Sequence, residues 1–145
     1  MIRLQAEPFD AGAELASFSA SAAGAGAIAS FLGLVRGDRG VTCLELQHYP
    51  GLTEASLAAI GEEARTRFDL AAFAVVHRHG ALAVGEPIVF VAAAAAHRRS
   101  AFDAVDYMMD RLKTEAAFWK REHGPEGARW IEARACDLED RARWG

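Results

Sequence analysis

The stretch "EPIVFVAAAAAHRRSAFDAVDYMMDRLK", Glu86 to Lys113, decides the fold, because its first half can be read two ways. The five alanines Ala92 to Ala96 suit an isolated helix. The β-branched start at Ile88 and Val89 and the turn residues on either side favour a buried strand from about Pro87 instead. The second half has helical spacing. Phe102, Val105, Met109 and Leu112 form one apolar stripe, read as core. Ser100 and Asp103 resemble a capping box at its start, with Asp in place of the usual Glu or Gln. Lys113 follows Met109 by four and sits at the stripe's edge. Were the helix to continue through "TEAAFWKRE", Lys120 would lie two turns on at nearly the same azimuth.

Working outward, Asp10 caps a short helix, "AGAELASFSASA", with Leu15 and Phe18 facing inward. A strand runs from about Ala27 to Val35 and ends at Arg36, and "GDRG" is a turn. "VTCLELQHY" is the next strand, with Leu44, Leu46 and His48 on one face and Cys43, Glu45 and Gln47 on the other. Thr53 caps a helix to about Phe68, striped by Leu57, Ile60, Ala64 and Phe68. "AAFAVVHRHG" is a strand running into a turn at Gly80. "GPEG", Gly124 to Gly127, is a break. "ARWIEARACD" is a last strand with Trp130, Glu132 and Arg134 on one face. The element order predicts a single α+β domain over residues 1–145 with a mostly antiparallel sheet.

Composition bounds the function. The chain has 145 residues, 52% hydrophobic and 25% charged, in the globular range. A formal net charge of −4 argues against a general nucleic-acid binder. No apolar run reaches the roughly 18 residues of a membrane span, and the N-terminus lacks a signal-peptide pattern. Cys43 and Cys136 make neither a CxxC pair nor a disulfide framework, which predicts a reducing, cytoplasmic location.

The basic residues are unevenly chosen. Of sixteen Lys and Arg residues, only Lys113 and Lys120 are lysine. Codon bias explains the many arginines but not where the two lysines sit. Arginine is a permanently charged planar fork, whereas lysine is a compact ammonium that can lose its proton. Basic clusters also end elements: Arg36 at the end of one strand, His97, Arg98 and Arg99 at a strand-to-helix handover, and Lys113, Lys120 and Arg121 at the far end of that helix. Element ends are where sites are commonly built. Together they predict a pocket for a phosphorylated or otherwise anionic small molecule. His77 and His79 share a strand face without an evident third metal ligand. "GAGA" at Gly24 precedes a strand and is no dinucleotide fingerprint. A Schiff-base lyase would also want an amine lysine, and a non-catalytic anion-binding module would want the same charges.

The segments "FLGLVRG", "LELQHYPGLTE", "VVHRHGALAVGE", "AAHRRSAFDAVDYMMDRLK", "FWKRE" and "GARWIEAR" resemble the large, catalytic subunit family of molybdopterin synthase, in register from about residue 24 to 135. The resemblance implies an α/β hammerhead fold and a homodimer. It implies a heterotetramer with a ubiquitin-like sulfur-carrier small subunit whose C-terminal Gly-Gly ends as a thiocarboxylate. The implied substrate is cyclic pyranopterin monophosphate (precursor Z), which receives two sulfurs to become the dithiolene of molybdopterin, with no metal or other cofactor. By position, Lys113 and Lys120 match the active-site lysines. Leu34, Val35, Arg36, His97, Arg98, Arg121 and Glu122 match substrate-contacting positions, and Arg134 lies near them. Two departures stand out. "GDRGV" after Arg36 is short, and Ala117 replaces a common proline, which predicts a more helical turn between the lysines.

Overall fold

The computed structural model describes residues 1–145. The strands are β1 (Ile2–Gln5), β2 (Ala27–Leu34), β3 (Cys43–His48), β4 (Ala72–Arg78), β5 (Gly80–Ala83), β6 (Pro87–Ala95), β7 (Phe118–Gly124) and β8 (Gly127–Ile131). The helices are α1 (Ala11–Ser21), α2 (Leu52–Phe68), α3 (Arg98–Glu115) and α4 (Ala135–Ala142). Two four-stranded sheets result, ordered β1-β4-β6-β2 and β5-β3-β7-β8. Only the β1–β4 pair is parallel, so the α+β, mostly antiparallel expectation holds.

The alanine run is strand, and its neighbours explain why. β6 is central in its sheet and covered on both faces. Val91, Ala93 and Ala95 pack into the cluster that includes Leu57 and Ile60 of α2 and Met108 and Leu112 of α3. Phe90, Ala92 and Ala94 face the opposite way, onto Phe18 and Ala22 at the end of α1. Strand alternation splits the run between two layers, and the small methyl groups let a helix approach each face. Gly61 makes the same accommodation on α2: a Cβ there would fall 2.1 Å from the Phe73 ring of β4. Burying an aliphatic side chain such as Leu57 contributes about 1.5–3 kcal/mol, and Leu57 is 0% exposed. A smaller cluster of Val35, Leu46 and Leu82 joins the two sheets.

Helix starts differ from the sequence expectation in two places. Asp10 caps α1 as expected, accepting from the Ala13 amide. α2, however, starts at Gly51, whose φ of +84° suits glycine, and the Glu54 carboxylate accepts from the Gly51 amide at 2.5 Å. Thr53 is therefore no cap. It is 0% exposed, and its hydroxyl accepts from the Tyr49 amide and donates to the Ala117 carbonyl. α3 starts one turn before the Ser100–Asp103 pair, with His97 in extended conformation as the N-cap. Ser100 lies within the helix, and no capping box forms there.

Four elements were not read from the sequence: β1, β5, β7 and α4. β1 is four residues long and owes its conformation to pairing with β4. β5 is a short hairpin return after Gly80 (φ +92°) that pairs with β3. The last strand is shorter than expected, ending at Ile131, and the chain then turns into α4 at Arg134. Glu132 and Arg134 thus leave the strand. The helix expected to carry both lysines also stops early, at Ala116, where φ −68° and ψ 139° are extended. Lys120 stands on β7. Ala117 is held by the Thr53 hydroxyl at its carbonyl and by the Ser56 hydroxyl at its amide, 3.2 Å away. The turn between the lysines is consequently extended rather than helical.

Candidate active site

α3, β7 and the end of β2 converge on one cleft of about 800 Å³. Lys113 enters from the last turn of α3, an end where the helix dipole favours a cation. Its placement follows from Leu112 and Met109, which anchor that turn in the core. Lys120 enters from β7, paired with Leu46 of β3. Alternation along β7 puts Phe118, Lys120 and Glu122 toward the cleft. Leu34, Val35 and Arg36 form a wall at the end of β2, and Arg134 and Asp137 close the far side from the start of α4.

The cleft acts on its lysines through burial and charge. Removal of the Lys120 amine from water, reinforced by the neighbouring Lys113 charge, lowers its pKa to about 8. Lys113 is the more exposed of the two. Its pKa is also lowered, mainly because protein crowds the amine; Asp137 opposes the shift, while Arg134 and Arg36 reinforce it. An ammonium and an amine are therefore both accessible within one cleft, and Arg36 adds a fixed cation on the wall. The set can hold an anion and move a proton.

The expected site residues divide accordingly. Leu34, Val35, Arg36, Lys113, Lys120, Glu122 and Arg134 all line the cleft. Arg121 is on the other face of β7, where it donates to Glu45 at 3.0 Å and lies over the Trp130 ring. His123 meets the same carboxylate at 2.9 Å, and the two partners hold the Glu45 pKa below its usual value. His97 and Arg98 are exposed at the opposite end of α3. At 1.5 Å per residue, Arg98 is about 22 Å from Lys113 along the helix, and neither residue lines the cleft of its own chain.

Sequence reading missed several lining residues. His77 is 7% exposed at the cleft wall, its ring stacked on Phe118 with centroids 4.2 Å apart. The signal was a polar residue closing the apolar run of β4. Cys136 and Asp137 were hidden because α4 was read as strand. His77 and His79 do not act together, since the His79 ring packs against His48 at 4.0 Å. Arg78 between them is buried, bonding Glu86 at 2.7 Å and the Ala6 carbonyl at 2.8 Å. No group of three or more His, Cys, Asp or Glu side chains is arranged to hold a metal. No helix is long and apolar enough to cross a membrane.

The chain is similar in sequence and fold to known proteins. Residues 4–115 match the family model described as "MoaE protein". A molybdopterin synthase catalytic subunit from Caulobacter vibrioides is 51% identical over 145 residues, covering 99% of this chain and 97% of the relative. The Escherichia coli protein of the same description is 52% identical over 123 residues, covering 82% of this chain and 81% of its own. Among solved structures, the molybdopterin biosynthesis MoaE protein from Burkholderia ambifaria superposes with a TM-score of 0.87 at 46% identity, covering 100% of this chain and 97% of that one.

Proposed function

The chain belongs to the MoaE protein family, the catalytic subunits of molybdopterin synthase, and we propose that its cleft is where sulfur passes from a carrier's thiocarboxylate to a pyranopterin. The observation that carries this reading is the meeting of Lys113 and Lys120, from two different elements, in one cleft beside Arg36. A solved relative from Staphylococcus aureus, 28% identical, is described as molybdopterin synthase. The whole chain, residues 1–145, works as one catalytic domain in the cytoplasm.

The partner is a ubiquitin-like small subunit whose C-terminal Gly-Gly thiocarboxylate enters the cleft, and the substrate is cyclic pyranopterin monophosphate. Lys113 meets the tail. Its ammonium holds the thiocarboxylate anion, whose sulfur displaces an oxygen substituent from a substrate carbon: the C–S bond forms, the C–O bond breaks, the departing oxygen takes a proton from the Lys113 ammonium, and the carrier is left joined through a thioester. Water then cleaves that thioester, returning the carrier as a carboxylate and leaving sulfur on the pterin. Hydrolysis releases a proton, which the Lys120 amine, with a pKa near 8, is suited to accept. A second loaded carrier repeats the sequence at the neighbouring carbon to complete the dithiolene. Arg36 takes the substrate phosphate, with Leu34 and Val35 against the ring system, and Glu122 orients the pterin. Arg121 supports the site from behind β7 through Glu45.

His97 and Arg98 reach the same substrate from a second copy of the chain. One helix length separates them from the lysines of their own chain, so a homodimer is the arrangement that lets all these residues serve one pocket. Two carriers on that dimer make a heterotetramer. The test is to mix the protein with a thiocarboxylated carrier and the precursor and to assay for dithiolene. Product supports the reading. Binding of both without turnover would support a non-catalytic binding module instead.

A further inference from the structure

The cleft contains one polar group that the scheme above leaves without a task. His77 is 93% buried by its 7% exposure, and its Nδ1 lies 2.8 Å from the Arg78 carbonyl oxygen. A carbonyl only accepts, so Nδ1 carries the hydrogen and donates. In the neutral ring the lone pair is then on Nε2. Nε2 has no hydrogen-bond partner in the protein, yet it is not among fully enclosed unsatisfied atoms, of which there are none. It is therefore open to the cleft that His77 lines. The ring cannot swing away, because Phe118 stacks on it with planes 24° apart.

Burial, with the Lys120 and Lys113 charges adding to it, lowers the His77 pKa to about 3. The ring stays neutral throughout the physiological range, so Nε2 presents a lone pair and never a proton. The groups around it divide the labour of recognition. Lys113, Lys120 and Arg36 are donors suited to anions, and Leu46 and Phe118 are apolar. A fixed neutral acceptor among them selects for a donor on the ligand, because an N–H or O–H matched to it replaces the water that otherwise satisfies the nitrogen.

The geometry points to His77 Nε2 as a specificity-determining acceptor that takes a hydrogen bond from a ring N–H or amino group of the bound nitrogen heterocycle. This rests on the proposed function above, and it assigns the heterocycle's edge to β4 while the phosphate goes to Arg36. A ligand with the same phosphate but no N–H donor on its ring would lose this contact.

Two measurements test it. First, protein labelled with 15N-histidine is titrated with cyclic pyranopterin monophosphate in the absence of carrier. An unprotonated imidazole nitrogen that begins to accept a hydrogen bond moves upfield, and Nε2 of His77 should do so while Nδ1 stays protonated. Second, His77→Phe keeps the stack on Phe118 but removes the acceptor. It should raise KM for the pterin about 10-fold, the effect of one lost hydrogen bond, with kcat changed far less, and His77→Gln should recover part of the loss. If His77→Phe fails to fold by its melting curve, the wild-type titration decides alone. A stationary Nε2 signal on saturation with pterin, in wild-type protein that makes product with a loaded carrier, overturns the assignment. Wild-type protein that makes no product at all contradicts the functional reading instead.

Discussion

Lys113 and Lys120 are seven residues apart, yet they enter the cleft from different elements, one from the last turn of α3 and one from the middle of β7. The extended Ala116 and the pinned Ala117 turn the chain between them. Two amines so placed approach a common ligand from two walls. A continuous helix would have stacked them along a single face.

Burial in that cleft sets their protonation, with the Lys113 charge adding to the effect on Lys120. The folded-state pKa of Lys120 is about 8, against 10.5 for free lysine. A lysine lowered on folding binds fewer protons folded than unfolded between those two values, so stability rises with pH across that window. The destabilisation is present in full below pH 8. Lys120→Met should therefore stabilise the protein by about 1–2 kcal/mol at pH 7, after a discount for partial solvent screening, while abolishing turnover. The check combines urea unfolding at pH 7 and pH 10 with NMR titration of the 13C-dimethylated amines. The stabilising effect should shrink at the higher pH.

The pin on Ala117 positions Lys120 and should be felt in both stability and activity. Thr53→Val leaves the Tyr49 amide without its acceptor and the Ala117 carbonyl without its donor, both around a fully buried side chain. The expected cost is about 1–3 kcal/mol. Turnover should fall while exposed-surface variants such as Arg65→Lys leave it unchanged. Denaturant unfolding and product assays under conditions where the variant is fully folded measure the two effects.

Neither cysteine should matter for sulfur transfer. Cys43 is half-buried on β3, and Cys136 is exposed at the start of α4, where it lines the cleft. The sulfur arrives on the carrier, so Cys43→Ser with Cys136→Ser should retain near wild-type product formation, with at most a small stability loss. Abolished transfer in the folded double variant would show that sulfur passes through this chain.

Mixing inactive variants tests whether the pocket is shared. Lys113→Ala and the double variant His97→Ala, Arg98→Ala should each be nearly inactive alone. Subunits exchanged between them should regain activity, up to about one quarter of wild type per chain, because half the dimers are mixed and each of those contains one intact pocket. Product formation after co-refolding reads the outcome. No recovery would assign His97 and Arg98 to some other task.

The sequence and the fold agree where one physical signal dominates. The α3 stripe was legible from periodicity alone, and β6 was legible because Ile88 and Val89 outweighed the alanines. β1 and β5 were not, since four residues leave no period to read and their conformation comes from partners distant in sequence, and β7 was hidden behind the expected continuation of α3. The helix stop at Ala116 was missed because "KTEAAF" has good helical propensity, which tertiary bonds from Thr53 and Ser56 override. Of the site, the charged wall residues could be read from their positions at element ends. His77 and Asp137 could not, because their approach depends on β4 and α4 being folded against the cleft. Arg121 adjoins Lys120 in sequence and faces away from it, which only the strand assignment reveals.

The most direct measurement of the central claim, that the two lysines are kept for their amines, is the turnover of Lys113→Arg with saturating thiocarboxylated carrier. Arginine preserves the positive charge but is wide, planar and permanently protonated. The account predicts turnover at least about 100-fold below wild type, the low end for lost acid–base help, with an unchanged melting curve. Turnover equal to wild type would contradict it and leave the two lysines as an accident of codon usage.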